Sequence, residues 1–186
     1  MRLTTLAAAA LAAMVMNTAP AMAAWQEIRN PELFIVKEWP GTPTRTEGRY
    51  QTGVVGREGV PAHIFTYEED NIVYRMLIAE LDAPEYVARS ASIMGECVFM
   101  AEEEGIPLAN MTNRVQGGVN AVYGRLVSVD LRENGGRRQT ACLFTRGRLY
   151  KIDATVLPAH GEPNSSLAIR FTNSLSFSDR AEAEPE

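Results

Sequence analysis

The sequence has little basic charge, and this limits the partners that the chain can bind. Its 186 residues carry 18 Lys and Arg against 23 Asp and Glu, so the formal net charge is −5. A nucleic-acid-binding surface needs clustered Lys and Arg to neutralise phosphates. We therefore expect no nucleic-acid partner.

The residues and motifs of common catalytic and metal sites are also scarce. The two histidines, His63 and His160, lack the H-x-x-x-H or H-x-H spacing of a metal site, and no G-x-S-x-G or phosphate-binding glycine loop occurs. His160 with Glu162 is the best candidate for contact with an ion, but ordinary surface or half-buried histidines are the interpretation we favour. We predict no catalytic, cofactor-binding or metal-ligating residue.

Long hydrophobic runs are absent except at the start of the chain. Arg2 precedes 11 apolar residues at 6–16, and Ala21-Met22-Ala23 follows them. This order is typical of a secretory signal peptide over residues 1–23, cut before Ala24. The run is shorter than the about 20 residues of a membrane span. We expect a protein of the bacterial periplasm that is not an integral membrane protein.

The remaining chain has the length of one domain, which we place at residues 24–178. Residues 179–186 contain four acidic residues, one arginine and almost nothing apolar. Such a segment cannot bury a hydrophobic surface. We expect a disordered acidic tail there.

The chain contains only two cysteines, Cys97 and Cys142, and neither belongs to a C-x-x-C motif. An even pair in an oxidising compartment favours one disulfide. Two buried free thiols, or one reactive thiol, remain alternatives because the sequence does not show the pairing geometry.

Alternating apolar and polar residues are the strongest structural pattern in the chain. The apolar set is Tyr150, Ile152, Ala154 and Val156, and the polar set is Lys151, Asp153 and Thr155. Such alternation predicts a strand with one buried face. We expect the apolar set to lie beneath helices and the polar set to face solvent. Further strands are predicted at 33–40, 49–56, 61–69, 71–81, 121–131 and 137–145.

Two segments have helical periodicity instead. Within 83–105 the predicted inner face is Val87, Ala91, Met94, Val98 and Ala101, with Gly95 packed closely against the sheet. Leu167, Phe171 and Leu175 form a second helical face, with Ser165 or Ser166 as its cap. We therefore predict an α+β fold: a central antiparallel sheet of six to eight strands, covered on one side by a long middle helix and a C-terminal helix.

An ordered set of short segments resembles the PsbP/DcrB-like family of small secreted α/β proteins. The segments are LFIVKEWPGTP, YRMLIAELDAPE, VYGRLVSVDL, RGRLYKIDATVLP and FTNSLSF. The resemblance implies a central antiparallel sheet with helices around it. It also implies a typically non-catalytic protein, since some members bind and stabilise membrane complexes. No catalytic residues and no fixed binding motif are carried over.

A local basic zone contrasts with the acidic chain. Arg137, Arg138, Arg146 and Arg148 flank one predicted strand. Together with Lys151 and Asp153 they form our candidate surface for contact with an acidic or envelope-associated protein partner, or with lipid headgroups. Solvent-exposed turn residues would explain the same arginines.

The residues leave three functions open. The first is a periplasmic protein-interaction or accessory module. The second is an enzyme, or a carrier of a small ligand or metal, with a pocket between the long helix and the sheet. The third is a structural envelope protein stabilised by its disulfide.

Overall fold

A computed structural model describes residues 24–115, 122–133 and 135–178. Seven strands form its main sheet. In spatial order these are β3 (Thr44–Thr52), β4 (Gly56–Glu69), β5 (Ile72–Glu80), β9 (Arg148–Val156), β8 (Arg137–Thr145), β7 (Val122–Leu131) and β6 (Gly105–Val115). All neighbours are antiparallel. The predicted central antiparallel sheet is therefore confirmed, and the predicted α+β class with it. The predicted signal peptide and acidic tail lie outside the described residues.

A small second sheet contains the strand that we predicted at 33–40. Its order is β1 (Gln26–Asn30), β2 (Ile35–Trp39) and β10 (Ser176–Phe177). A single 3-10 turn, Pro31–Leu33, joins β1 to β2. Ile35 and Trp39 are buried, so this sheet helps to close the core rather than extending the main sheet.

Two of the hairpins turn through pairs of residues with positive φ. Asp70 and Asn71 join β4 to β5, while Arg146 and Gly147 join β8 to β9. Two-residue turns of this kind match the right-handed twist of paired strands. They make β4, β5, β8 and β9 the regular centre of the sheet.

The predicted long helix is two helices, α1 (Pro84–Ala88) and α2 (Ser90–Glu103). Arg89 between them has φ −105° and ψ 13°, so the two parts do not share one face. The buried residues of α2 are Ile93, Cys97, Val98 and Ala101. Our predicted inner face was therefore wrong in part, because Val87 and Ala91 are exposed. Gly95 also points outward, and a Cβ built on it meets no atom within 4 Å.

The last helix agrees better with its prediction. It is α3 (Ser166–Asn173), and Ser165 is its N-cap, accepting a hydrogen bond from the Leu167 amide at 3.3 Å. Of the predicted helical face, Phe171 is buried and Leu167 is half-buried, whereas Leu175 is buried but lies after the end of the helix. A serine cap satisfies one of the free amides at the start of a helix, which explains why the helix begins there.

Helices cover both faces of the main sheet, so the predicted one-sided cover was wrong. One apolar cluster joins Tyr150 and Ile152 of β9 to Phe171 of α3. The other joins Leu149 of β9 to Cys97 of α2. Both faces of β9 are buried because β5 and β8 flank it and helices lie above and below it.

The edge strand β6 had no counterpart in our prediction. It contains Pro107, and its register with β7 shifts between Pro107 and Ala109. Proline and asparagine are depleted in strands, and proline within a sheet is confined to edges and bulges. The pattern that identifies central strands is therefore missing from this edge.

Candidate interaction surface

Three of the six candidate surface residues come together on the face of the main sheet that α2 covers. Asp153 of β9 is paired with Thr140 of β8, and Arg138 is paired with Thr155. Lys151 lies two residues before Asp153 and points to the same face. Arg75 of β5 is paired with Asp153 from the other side.

These side chains and Glu104, the residue after α2, form what we call the charged cluster: Arg75, Glu104, Arg138, Lys151 and Asp153. The Glu104 carboxylate accepts a hydrogen bond from Arg138 Nη1 and lies 3.6 Å from Lys151 Nζ. Lys151 Nζ is 3.9 Å from Asp153 Oδ2, and Arg75 Nη1 is 4.0 Å from the same oxygen. The cluster thus holds three cations and two carboxylates at the open end of the face.

The inner part of the charged cluster is buried, contrary to our expectation of a solvent-facing polar set. Asp153 is 3% exposed and Lys151 is 9% exposed, and Thr155 is also buried. Thr140 Oγ1 donates to Asp153 Oδ1 at 2.7 Å, and Arg138 Nε donates to Thr155 Oγ1 at 2.8 Å. Buried charges are tolerated when they are paired and hydrogen-bonded in this way. Only Arg75, Glu104 and Arg138 present substantial surface.

Arg137 lies on the opposite face of the same strand. Its Nε donates to Asp130 at 2.8 Å and its Nη1 donates to Asn164 at 2.6 Å. The hydrogen bond to Asp130 raises the pKa of this guanidinium. Arg137 therefore ties β8 to the segment before α3 and does not extend the charged cluster.

Arg146 and Arg148 lie at the far end of the β8–β9 ladder. Arg148 Nε donates to Glu80 at 3.0 Å and its Nη1 donates to the Leu33 carbonyl at 3.2 Å. Arg146 Nη1 donates to the Ser178 carbonyl at 2.8 Å. These contacts link the main sheet to the small sheet. The six candidate residues thus occupy three separate places rather than one surface.

The histidines are engaged by ordinary polar neighbours. His63 lies between Glu47, at 2.8 Å from Nδ1, and Glu80, at 3.5 Å from Nε2. The hydrogen bond from His63 lowers the pKa of the Glu47 carboxyl. His160 Nδ1 is 2.8 Å from the Asp70 carbonyl, and Glu162 accepts from the Asn164 amide instead of meeting the histidine. Among the described residues, no three His, Cys, Asp or Glu side chains converge as metal ligands.

Sequence reasoning missed one buried charge, Lys37 of β2. It is 1% exposed, its ammonium donates to the Phe171 carbonyl and to Ser174 Oγ, and it lies 3.9 Å from the centre of the Phe171 ring. Burial lowers the pKa of Lys37 well below its usual value, and the neighbouring Glu38 opposes this shift. The alternation of Ile35, Lys37 and Trp39 was the signal, because it places the lysine on the inner face.

The seam between α2 and the sheet is closed by a disulfide. Of the three alternatives for the cysteines, the structure has the bond between Cys97 and Cys142, with Cα atoms 6.3 Å apart. Ile93 and Val98 of α2 belong to the same buried apolar cluster as the two cysteines. Two clefts lie among the described residues outside this seam: one of about 190 Å³ is lined by Arg137 and Pro163, and one of about 180 Å³ is lined by Glu104 and Arg138.

The comparisons with known proteins identify the fold. No family model matches the chain, and no curated protein matches it. The solution structure of cyanobacterial PsbP (CyanoP) from Synechocystis sp. PCC 6803 superposes with a TM-score of 0.52 at 10% identity, covering 85% of this chain and 95% of that chain. The chain therefore has a PsbP-like fold, and the resemblance seen in the sequence is confirmed at that level.

Among the described helices, none combines the length and the hydropathy that crossing a membrane requires.

Proposed function

We propose that this chain is a secreted, non-catalytic accessory protein of the periplasm that acts by binding a protein partner of the cell envelope. The signal-peptide pattern at residues 1–23 supports the location. The PsbP-like fold supports the class, because the resemblance implies proteins that associate with larger complexes rather than catalyse reactions.

The observation that carries the proposal is the charged cluster at the open end of the α2 face. Its exposed rim presents the guanidinium groups of Arg75 and Arg138 and the carboxylate of Glu104, which pairs with Arg138. Its buried floor, Lys151 and Asp153, is fixed by Thr140 and by the paired strands. Charged groups of both signs at a partly open surface suit a polar protein partner, because they set its register and speed its approach.

The packing of the α2 seam supports this function over a small-ligand carrier. A carrier needs a concave apolar pocket that encloses most of its ligand. The space between α2 and the sheet is instead filled by Ile93, Val98 and the disulfide. A purely structural envelope role would not call for an exposed charged rim.

The test is crosslinking in cells followed by recovery of the tagged protein from the envelope fraction and mass spectrometry. We expect one dominant partner, and we expect Arg138→Glu to reduce its recovery about tenfold or more, which corresponds to about 1.4 kcal/mol. Arg29→Glu is the matched control, since Arg29 is an exposed arginine of β1 in a surface ion pair with Glu27.

Arg138→Gln and a thermal melt of each variant separate loss of binding from loss of folding. Recovery that is equal for Arg138→Glu and Arg29→Glu would contradict the assigned surface. Absence of any partner above background would contradict the accessory function itself.

A further inference from the structure

The exposed apolar side chains of this protein are concentrated in one segment. Among the described residues, six large apolar side chains are exposed, and five of them lie in or next to α1, α2 and the start of β6. They are Val87, Phe99, Met100, Ile106 and Leu108, whereas the sixth, Ile169, lies on α3. Scattered exposed apolar residues are normal, but a contiguous group often marks an interface.

On the outer face of α2, an exposed aromatic ring, that of Phe99, lies beside Gly95, which has no side chain. We define this face by Ser92, Gly95, Phe99 and Glu103, which follow each other at helical spacing and are all exposed. Phe99 is 56% exposed, one turn away from Gly95. A Cβ on Gly95 would meet no atom within 4 Å, so no side chain covers the helix surface beside the Phe99 ring. Small residues allow another helix to approach closely at such a position.

The ends of the same helix carry opposite charges. Arg89 precedes α2, and its Nη1 donates to the Val54 carbonyl at 3.1 Å, which fixes the side chain beside the helix. Glu102 and Glu103 end the helix, where acids oppose the macrodipole. A partner helix that runs in the opposite direction would bring a basic end to this acidic end.

A second copy of this chain has both features that a partner needs: an aromatic side chain to pack on Gly95 and opposite charges at the two ends of its helix. If two α2 helices pack antiparallel with Phe99 of each over Gly95 of the other, Arg89 comes within about 3 Å along the axis of the partner's Glu103, at 1.5 Å rise per residue. A parallel arrangement would place the like charges of Glu103 side by side. The antiparallel pair is related by a two-fold axis, so one self-complementary patch closes the assembly.

We propose that the outer face of α2 is a self-association surface, on which a second copy of this chain packs antiparallel, with Phe99 seated on Gly95 and Arg89 facing Glu103. This surface lies on the outside of the helix whose inner side covers the sheet. It is independent of the charged cluster and of the proposed envelope partner.

Sedimentation velocity and light scattering on the secreted protein test the proposal. We expect a concentration-dependent dimer, and we expect Phe99→Glu to weaken it at least tenfold. Ile169→Glu is the matched control, because Ile169 is 44% exposed on α3 and lies outside this surface. A monomer at all concentrations up to about 1 mM, a weak-affinity limit, would overturn the proposal. A dimer that Phe99→Glu leaves intact would do the same.

Gly95→Gln separates association from folding. Gln has a higher helix propensity than Gly, and the space at Gly95 is open, so we expect a higher Tm of the fold. The glutamine side chain would occupy the space at position 95 on which Phe99 of the second copy packs, so we expect a weaker dimer. Glu103→Arg should also weaken the dimer, and mixing it with Arg89→Glu should restore association between the two variants. A Gly95→Gln protein with unchanged dimer affinity would contradict the packing.

Discussion

The two faces of the main sheet are closed in different ways. Beneath α3 and the small sheet, aromatic rings pack edge to face, with Phe171 4.8 Å from Trp39 and 5.0 Å from Tyr74. Of the residues that the structure describes, Lys37 is the fully buried cation of this face. Beneath α2, a disulfide fastens the helix and the charged cluster occupies the open end. Both faces therefore have an apolar core, but the α2 face adds a covalent bond and a set of ion pairs to its packing.

The difference shows where a charged residue can be tolerated inside this fold. Lys37 is held by a carbonyl, a hydroxyl and the face of an aromatic ring, and within the described part of the chain it forms no ion pair with a carboxylate. Lys151 and Asp153 are held by each other and by neighbouring ion pairs. The first arrangement is fully buried, whereas the second continues to the surface, where we propose that a partner binds.

Removal of the disulfide should have the largest effect, and it should act on the α2 face. We expect the double variant Cys97→Ala with Cys142→Ala to lose about 4 kcal/mol in free energy of unfolding, since closing a loop of 45 residues constrains the unfolded chain by about that much. Urea unfolding measures it.

A reductant supplies the matched control for this experiment. It should lower the stability of the wild-type protein to that of the double variant and leave the double variant unchanged. A loss below about 1 kcal/mol would mean that packing, and not the bond, holds α2 on the sheet.

Substitution of Lys37 should have the next largest effect, on the α3 face. Lys37→Ala removes a fully buried aliphatic stem, and we expect a loss of about 2–3 kcal/mol, as for other large-to-small core substitutions. Lys37→Met keeps the volume of the stem, and Ser174 Oγ still donates to the Phe171 carbonyl at 3.2 Å. We therefore expect Lys37→Met to lie within about 1 kcal/mol of the wild type at neutral pH, measured by urea unfolding. Equal losses in the two variants would show that the ammonium contacts, and not the stem, stabilise this face.

The pH dependence of stability distinguishes the two faces more sharply. Burial lowers the pKa of Lys37 in the folded protein below the value of 10.5 that it has in the unfolded chain. Between these two pKa values the unfolded chain binds the additional proton, so the free energy of unfolding rises as the pH rises through that interval. We expect Lys37→Met to abolish this rise, while Glu104→Gln leaves it intact. A Lys37→Met protein that keeps the rise would show that another group causes it.

The sequence predicted the central strands because their patterns are strong and local. It could not show that both faces of β9 are buried, since the polar residues Lys151, Asp153 and Thr155 are the same residue types that solvent-facing positions carry. Their burial depends on partners from distant strands, such as Arg75, and on Glu104 at the end of α2. Periodicity within one segment contains no information about those partners.

The limited information within one segment also explains why the six candidate surface residues do not form one surface. Arg137 and Arg138 are adjacent in sequence, but strand geometry directs them to opposite faces, and Arg148 lies at the far end of the ladder. The break at Arg89 likewise changed which residues of the following helix face the sheet. Lys37, in contrast, was predictable, because Ile35 and Trp39 place it on the inner side of β2.

The smallest effect should come from the rim of the charged cluster. The ion pair between Glu104 and Arg138 is partly open to solvent, and such pairs contribute about 0.2–1 kcal/mol to folding. In a double-mutant cycle of Glu104→Gln and Arg138→Gln, measured by urea unfolding at low protein concentration, we expect a coupling free energy within that range. Glu58→Gln, at an exposed position of β4, serves as the matched control and should show no coupling to Arg138. A coupling above about 2 kcal/mol would show that Glu104 and Arg138 form a rigid structural pair, like the buried floor beneath them. A weak coupling would instead mean that Glu104 and Arg138 can each give up their mutual ion pair and pair with a charged group of a partner. That property separates this face from the closed core beneath α3.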